Sequence, residues 1–124
     1  HHVSAFDLAE DHIAALSLAA RSHRLGERIK VEVRNLHRRP LLGSEFDKVD
    51  AVILDPPRGG AAEQAIHLAT SQVPVIAYVS CDPKSFVRDA EVLIAGGYNI
   101  MNVLPFDQFL WSPHVELIGI FKKD

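Results

Sequence analysis

Two apolar runs constrain this chain more than anything else in it: "VDAVILD" (Val49 to Asp55) and "PVIAYVS" (Pro74 to Ser80). Neither alternates. Apart from Asp50, both faces of each run are apolar, which is the pattern of an inner parallel strand covered on both sides. Parallel neighbours need a crossover connection, and a helix-period segment follows each run. After "PPRGG", Ala61, Ala65 and Leu68 mark one helical face; after "CDP", Phe86, Ala90, Leu93 and Ile94 mark another, ended by Gly96-Gly97. Asp82 is placed to cap that second helix, with Pro83 at its first position, where a missing N–H costs nothing.

The alternation continues outward. "VSAFD" (Val3 to Asp7) reads as a strand, and the helix after it carries Ala9, Ile13, Leu16 and Ala20 on one face before Leu25-Gly26 stops it. "RIKVEVRN" (Arg28 to Asn35) alternates Ile29, Val31 and Val33 with charged residues, as a half-buried strand does. The last strands lie near "NIMNVLPF" (Asn99 to Phe106) and "HVELIGIF" (His114 to Phe121). With only "DQFLWSP" between them and no helix, they are expected to run antiparallel. The expected architecture is one α/β domain: an open, mostly parallel sheet, helices on its faces, and one reversed strand at its C-terminal end.

At 124 residues, 48% hydrophobic and 23% charged, the composition is that of a soluble globular domain. No apolar stretch approaches the ~20 residues of a membrane helix, and no signal-peptide pattern opens the chain, so a cytoplasmic protein without a membrane partner is expected. One cysteine excludes an intramolecular disulfide, and without CxxC or HExxH spacing no metal is expected. A net charge of −3 provides no global attraction to nucleic acid, and the basic run "RNLHRRP" (Arg34 to Pro40) reads as a solvated loop.

In open α/β sheets ligands bind beyond the carboxyl ends of the strands. The residues to weigh are therefore Asp7, Asn35, Asp55 and Cys81. The reversed strand begins at that same edge and brings His114 and Glu116 toward Cys81. Each has a plain reading and a chemical one. Cys81 is a small buried hydrophobe, or a thiolate favoured by the free N–H groups of a helix N-terminus. Glu116 is an edge-strand surface carboxylate, or an acid at the start of a strand with a buried face. "DPPR" (Asp55 to Arg58) is a stiff turn, or a preset loop held against a planar ring. Asp7 caps the next helix or accepts the hydroxyls of a ribose; Asn35 bonds local backbone or touches a cofactor base.

Taken together, "VILDPPRGG", "YVSCDPKSFVRDAEVLIAGGY" and "DQFLWSPHVELIGIF" closely resemble the RNA uracil-5-methyltransferases, from about Val3 to the end of the chain and in that family's motif order. The resemblance implies a Rossmann-like class I methyltransferase sheet that uses S-adenosyl-L-methionine to methylate C5 of a uridine in rRNA or tRNA. It implies Cys81 as the nucleophile that adds to C6 and Glu116 as the base that removes the C5 proton. Asp7, Asn35 and Asp55 fall on cofactor-binding positions; Asp55, Arg58 and His114 fall beside the target base. Rival readings are a base-amino methyltransferase, whose loop resembles DPPR, and a non-catalytic RNA-binding or assembly fragment.

Two departures from the family pattern stand out. Before "HVE" the family commonly has Phe-Pro-x-Thr, where this chain has Phe109-Leu110-Trp111-Ser112 and then Pro113. None of its glycines forms a G-x-G after a first strand. The expectation is the C-terminal portion (1–124) of a longer catalytic domain, lacking the first strand and glycine loop and inactive in isolation. In the family's sheet that strand lies between those ending at Asp7 and Asp55. The two edges left open are expected to close on each other or to pair with a second copy, giving a dimer.

Overall fold

The computed structural model describes residues 1–107, 111–112 and 114–124. Its elements run β1 (Val3–Asp7), α1 (Glu10–Ser22), β2 (Ile29–Val33), β3 (Val52–Leu54), α2 (Ala62–Ala69), β4 (Val75–Ser80), α3 (Pro83–Ala95), β5 (Asn99–Phe106) and β6 (Glu116–Lys122), with a short 3-10 turn at Gly43–Phe46. They form two compact units, His1–Pro40 and Leu41–Asp124.

In the first unit β1 and β2 pair in parallel, from Val3↔Ile29 to Asp7↔Val33, with α1 as their crossover. The expected helix face holds at Ile13 and Ala20, which are buried, but not at Leu16, which is 37% exposed. The basic run is not a solvated loop throughout. Arg34 is buried; its Nε donates to Arg39 O and its Nη2 to Pro40 O, both at 2.8 Å, and its guanidinium lies over the Phe6 ring. The segment after β2 thus wraps around its own first arginine, giving the buried charge the acceptors it requires.

The second unit is a four-stranded sheet in the order β3-β4-β6-β5. β3 and β4 are parallel; β6 runs antiparallel to both β4 and β5, so the reversed strand is where the sequence puts it. Ile76, Tyr78 and Ser80 of β4 point to one face and are buried. Leu68 of α2, Phe86 and Leu93 of α3, and Phe121 of β6 share the core with Ile76 and Tyr78. Asp82 caps α3 as expected, accepting the Ser85 N–H on Oδ2 at 2.9 Å, with Pro83 in the first turn.

Two further expectations need correction. "VDAVILD" is not a fully buried inner strand: β3 keeps three residues, and Ile53 is 77% exposed. Ile53 pairs with Ala77, on the face opposite the buried Ile76 and Tyr78. Nor do "VSAFD" and "VDAVILD" close on each other, because β1 and β3 belong to different sheets. Each has a parallel partner on one edge, delivered by its own crossover helix, α1 for β1 and α2 for β3. Among the described residues no helix is long and apolar enough to cross a membrane.

Candidate active site

The carboxyl edge of β4 is where the second unit gathers its chemistry. β4 ends at Ser80, Cys81 follows, and α3 begins at Pro83. The link is stiffened by reciprocal local bonds: Ser80 Oγ donates to Asp82 O at 3.0 Å and accepts the Asp82 N–H at 3.2 Å. Cys81 is therefore held at a strand-to-helix corner, half-buried, with a free thiol. It is not a core cysteine.

Strand register brings Glu116 to the same place. The last rung of the antiparallel β4–β6 ladder joins Ser80 to Leu117. Cys81 and Glu116 are the next residues beyond that rung on the two strands, so both lie at this edge. Glu116 is half-buried, at the first position of β6 and opposite Phe106 of β5.

The loop after β3 completes the edge. Asp55 directly follows Leu54 and is exposed. A turn closed by the Gly60 N–H on Pro57 O at 2.8 Å presents Arg58. Arg58 Nη2 meets the nitrogen-bearing edge of the His114 ring, 3.0 Å from Nε2. A guanidinium cannot accept, so in this contact Arg58 is the donor. The His114 N–H in turn donates to Ser112 Oγ at 3.2 Å. Arg58 also contributes to keeping the Asp82 carboxyl below the ordinary aspartate value, after the larger effect of the Ser85 N–H it accepts. Among the described residues, Asp55 and Glu116 have no hydrogen-bond or ion-pair partner, leaving their carboxylates open to a ligand.

The site residues expected in the first unit lie at the carboxyl ends of its strands, and both are engaged locally. Asp7 Oδ1 accepts the Ala9 N–H at 2.8 Å, and Oδ2 lies 3.4 Å from His12 Nδ1. The Ala9 N–H is the main reason the Asp7 carboxyl sits below its ordinary value. Asn35 Oδ1 accepts the N–H groups of His37 and Arg38, at 3.1 and 3.2 Å. The capping and strand-ending readings are thus realised. Neither exhausts its residue: a carboxylate has about four acceptor sites, and the Asn35 amide keeps its two donors. Of the segment departing from the family pattern, Phe109, Leu110 and Pro113 lie outside the described residues. Trp111 is fully exposed, with φ 63.

The sequence reading passed over the polar cluster beneath the loop: Tyr78, Arg88 and Asp89. A signal was present. Asp89 falls on the buried stripe of α3, between Phe86 and Leu93, where an acid demands an explanation.

Solved structures identify the fold. The chain superposes with TM-score 0.71 on the [4+2]-cyclase SpnF (10% identity, covering 98% of this chain and 66% of that one). It superposes with 0.64 on the Methanococcus jannaschii fibrillarin pre-rRNA processing protein (22% identity, 99% and 57%). With Streptococcus pneumoniae Sp1610, solved in complex with S-adenosyl-L-methionine, the score is 0.68 (16% identity, 98% and 54%). The fold is that of the class I, Rossmann-like methyltransferases.

Sequence relationship narrows the class. The tRNA (Uracil-5-)-methyltransferase profile matches residues 2–124, and the chain belongs to that family. An uncharacterized RNA methyltransferase of Agrobacterium fabrum is 47% identical over 123 residues, and one of Caulobacter vibrioides is 50% identical over 95. The chain spans 29% and 23% of their respective lengths.

Proposed function

We propose that this chain carries the nucleophile and the base of an RNA (uracil-C5)-methyltransferase that modifies a uridine of rRNA or tRNA. The observation that supports the reading is the last rung of the β4–β6 ladder, Ser80↔Leu117, which has Cys81 and Glu116 as the next residues of the two strands. A thiol and a carboxylate at one strand edge are the pair that methylation of a ring carbon needs.

C5 of uracil is a weak nucleophile. Addition of the Cys81 thiolate to C6 makes the ring an enolate with electron density on C5. S-adenosyl-L-methionine, when bound, supplies an electrophilic methyl on sulfur. C5 forms the new C–C bond as the methyl's bond to sulfur breaks, that electron pair staying on sulfur. Glu116 then takes the C5 proton, and the freed C–H pair restores the C5=C6 double bond and expels Cys81 as thiolate. Asp55 and Arg58 orient the base edge, with Arg58 backed by His114. The uridine must be single-stranded or flipped to reach this edge.

The first unit's residues fit the cofactor. The Asp7 carboxylate, held ionised by the Ala9 N–H, keeps acceptor sites for the ribose hydroxyls. The Asn35 amide N–H groups suit the ring nitrogens of adenine. We assign turnover to the full-length enzyme and expect none from the isolated 124 residues.

The test is full-length enzyme with unmodified RNA, read by nucleoside mass spectrometry. The expected product is 5-methyluridine, and 5-fluorouridine RNA should give a covalent complex through Cys81, because fluorine cannot leave as a proton does. Methylation on an exocyclic amine would point to the base-amino alternative, and no product with any RNA to the non-catalytic one.

A further inference from the structure

Asp89 is fully buried on α3, yet both its oxygens are engaged, and every partner leads to the loop after β3 or to its support. Oδ2 accepts the Tyr78 hydroxyl and the Ala61 N–H, each at 2.6 Å. Oδ1 takes Arg88 Nε at 2.8 Å, and Arg88 Nη2 reaches on to Gly59 O, also at 2.8 Å. Gly60, between the two gripped residues, has φ +77. A Cβ there would lie 2.5 Å from Asp89 Oδ2 and 2.6 Å from Arg88 Nη2, so the backbone is drawn onto the pair as closely as glycine permits. Burial and the adjacent Asp89 carboxylate raise the Tyr78 phenol above its ordinary range, so it stays a donor.

We infer that Asp89, Arg88 and Tyr78 are positioning residues that fix the loop presenting Asp55 and Arg58 relative to Cys81; the inference rests on the function proposed above. The cluster lies on the two elements that flank Cys81, Tyr78 on β4 and Arg88 with Asp89 on α3. It grips the far side of the turn whose near side is Arg58. Loop and nucleophile are thereby referred to one rigid corner. A buried carboxylate network is a poor choice for stability alone, since apolar side chains of similar volume often stabilise as well or better. What it adds is direction: fixed bonds to Gly59 O and Ala61 N allow one loop conformation.

The test uses the full-length enzyme and two variants expected to fold. Arg88→Ala removes a half-exposed side chain, and Tyr78→Phe removes one hydroxyl. Expected is a fall in kcat of about 10- to 100-fold, the scale of a misplacement near 1 Å, with KM for RNA within about twofold. Covalent capture of 5-fluorouridine RNA should slow by the same factor. Alkylation of the Cys81 peptide by iodoacetamide, read by mass spectrometry, should not change. Arg88→Lys, which can still donate to Gly59 O, should recover part of the rate. Normal kcat and capture rates in both variants, with Cys81→Ala inactive, would overturn the inference and leave the proposed reaction standing. So would a kcat loss that disappears at lower temperature in step with a lowered Tm. Normal turnover by Cys81→Ala would instead remove the proposed reaction, and this inference with it.

Discussion

The two units place polar side chains at the ends of their strands, but the fates of those side chains differ. In the first unit Asp7 and Asn35 already accept backbone N–H groups within their own turns. In the second, the Asp55 and Glu116 carboxylates have no partner among the described residues, although the buried Asp89 is bonded on both oxygens. A strand-end position alone does not distinguish a residue serving the fold from one serving a ligand. The distinction appears when each lone pair and N–H is assigned, because a polar group left open at an ordered edge contributes little to folding. The first unit's residues should therefore show mixed effects on stability and binding. The second unit's edge should show effects on chemistry alone.

The largest expected effect is at Cys81. In the full-length enzyme Cys81→Ala should lower methylation by at least about 10⁴-fold, as loss of a nucleophile does, with little change in Tm. A variant that keeps near-normal turnover would return Cys81 to the status of a structural thiol. Glu116→Gln should slow turnover by about 10²- to 10⁴-fold and differ in kind: addition and methyl transfer proceed, so a covalent complex with natural uridine RNA accumulates on denaturing gels. Inactivity without that complex would assign Glu116 an earlier role.

The first unit provides the intermediate case. Asn35→Ala should weaken S-adenosyl-L-methionine binding by about 10-fold, one hydrogen bond's worth, and also lower Tm, because two N–H groups lose their acceptor. Weaker binding at unchanged Tm would mean that the local bonds hold nothing in place. Asp7 adds a pH test. Its carboxyl is depressed in the folded state, so its contribution is present above the unfolded value and lost as pH falls through the folded one. Asp7→Asn keeps an Ala9 cap but not the charge, so the wild-type Tm should fall slightly relative to the variant from about pH 5 to about pH 2. A parallel decline in the two proteins would deny the carboxylate this role. The smallest effect should be at Ile53, 77% exposed on β3: Ile53→Thr should change the stability of this chain by less than about 0.5 kcal/mol. A loss above about 2 kcal/mol in urea unfolding would show the side chain to be covered.

Much of the fold was legible because it rests on local patterns. β1 and β5 coincide with "VSAFD" and "NIMNVLPF", and α3 with the stretch between its Asp82 cap and the glycine pair. The antiparallel β5–β6 pair followed from a connection containing no helix. The extent of burial was less legible. "VDAVILD" carries the composition of a doubly covered strand, but composition states only what a segment tolerates; the elements packed on it decide whether Ile53 meets them. "RNLHRRP" failed for a similar reason, since a charged run looks solvated until its carbonyls turn inward around Arg34.

By itself the sequence determined the alternation of strands and helices, the family, and the residue types able to add to a ring and remove its proton, since local periodicity and motif chemistry are carried within a few neighbouring residues. Only the tertiary structure decided that the β4–β6 ladder ends at Ser80↔Leu117, with Cys81 and Glu116 next along their strands, and that Arg58 meets His114. Nor could the sequence tell that an acid on the apolar stripe of α3 is bonded to the loop on Gly60's flank. Those pairings join residues tens of positions apart, and their distances are set by strand register and helix packing, which no local pattern encodes.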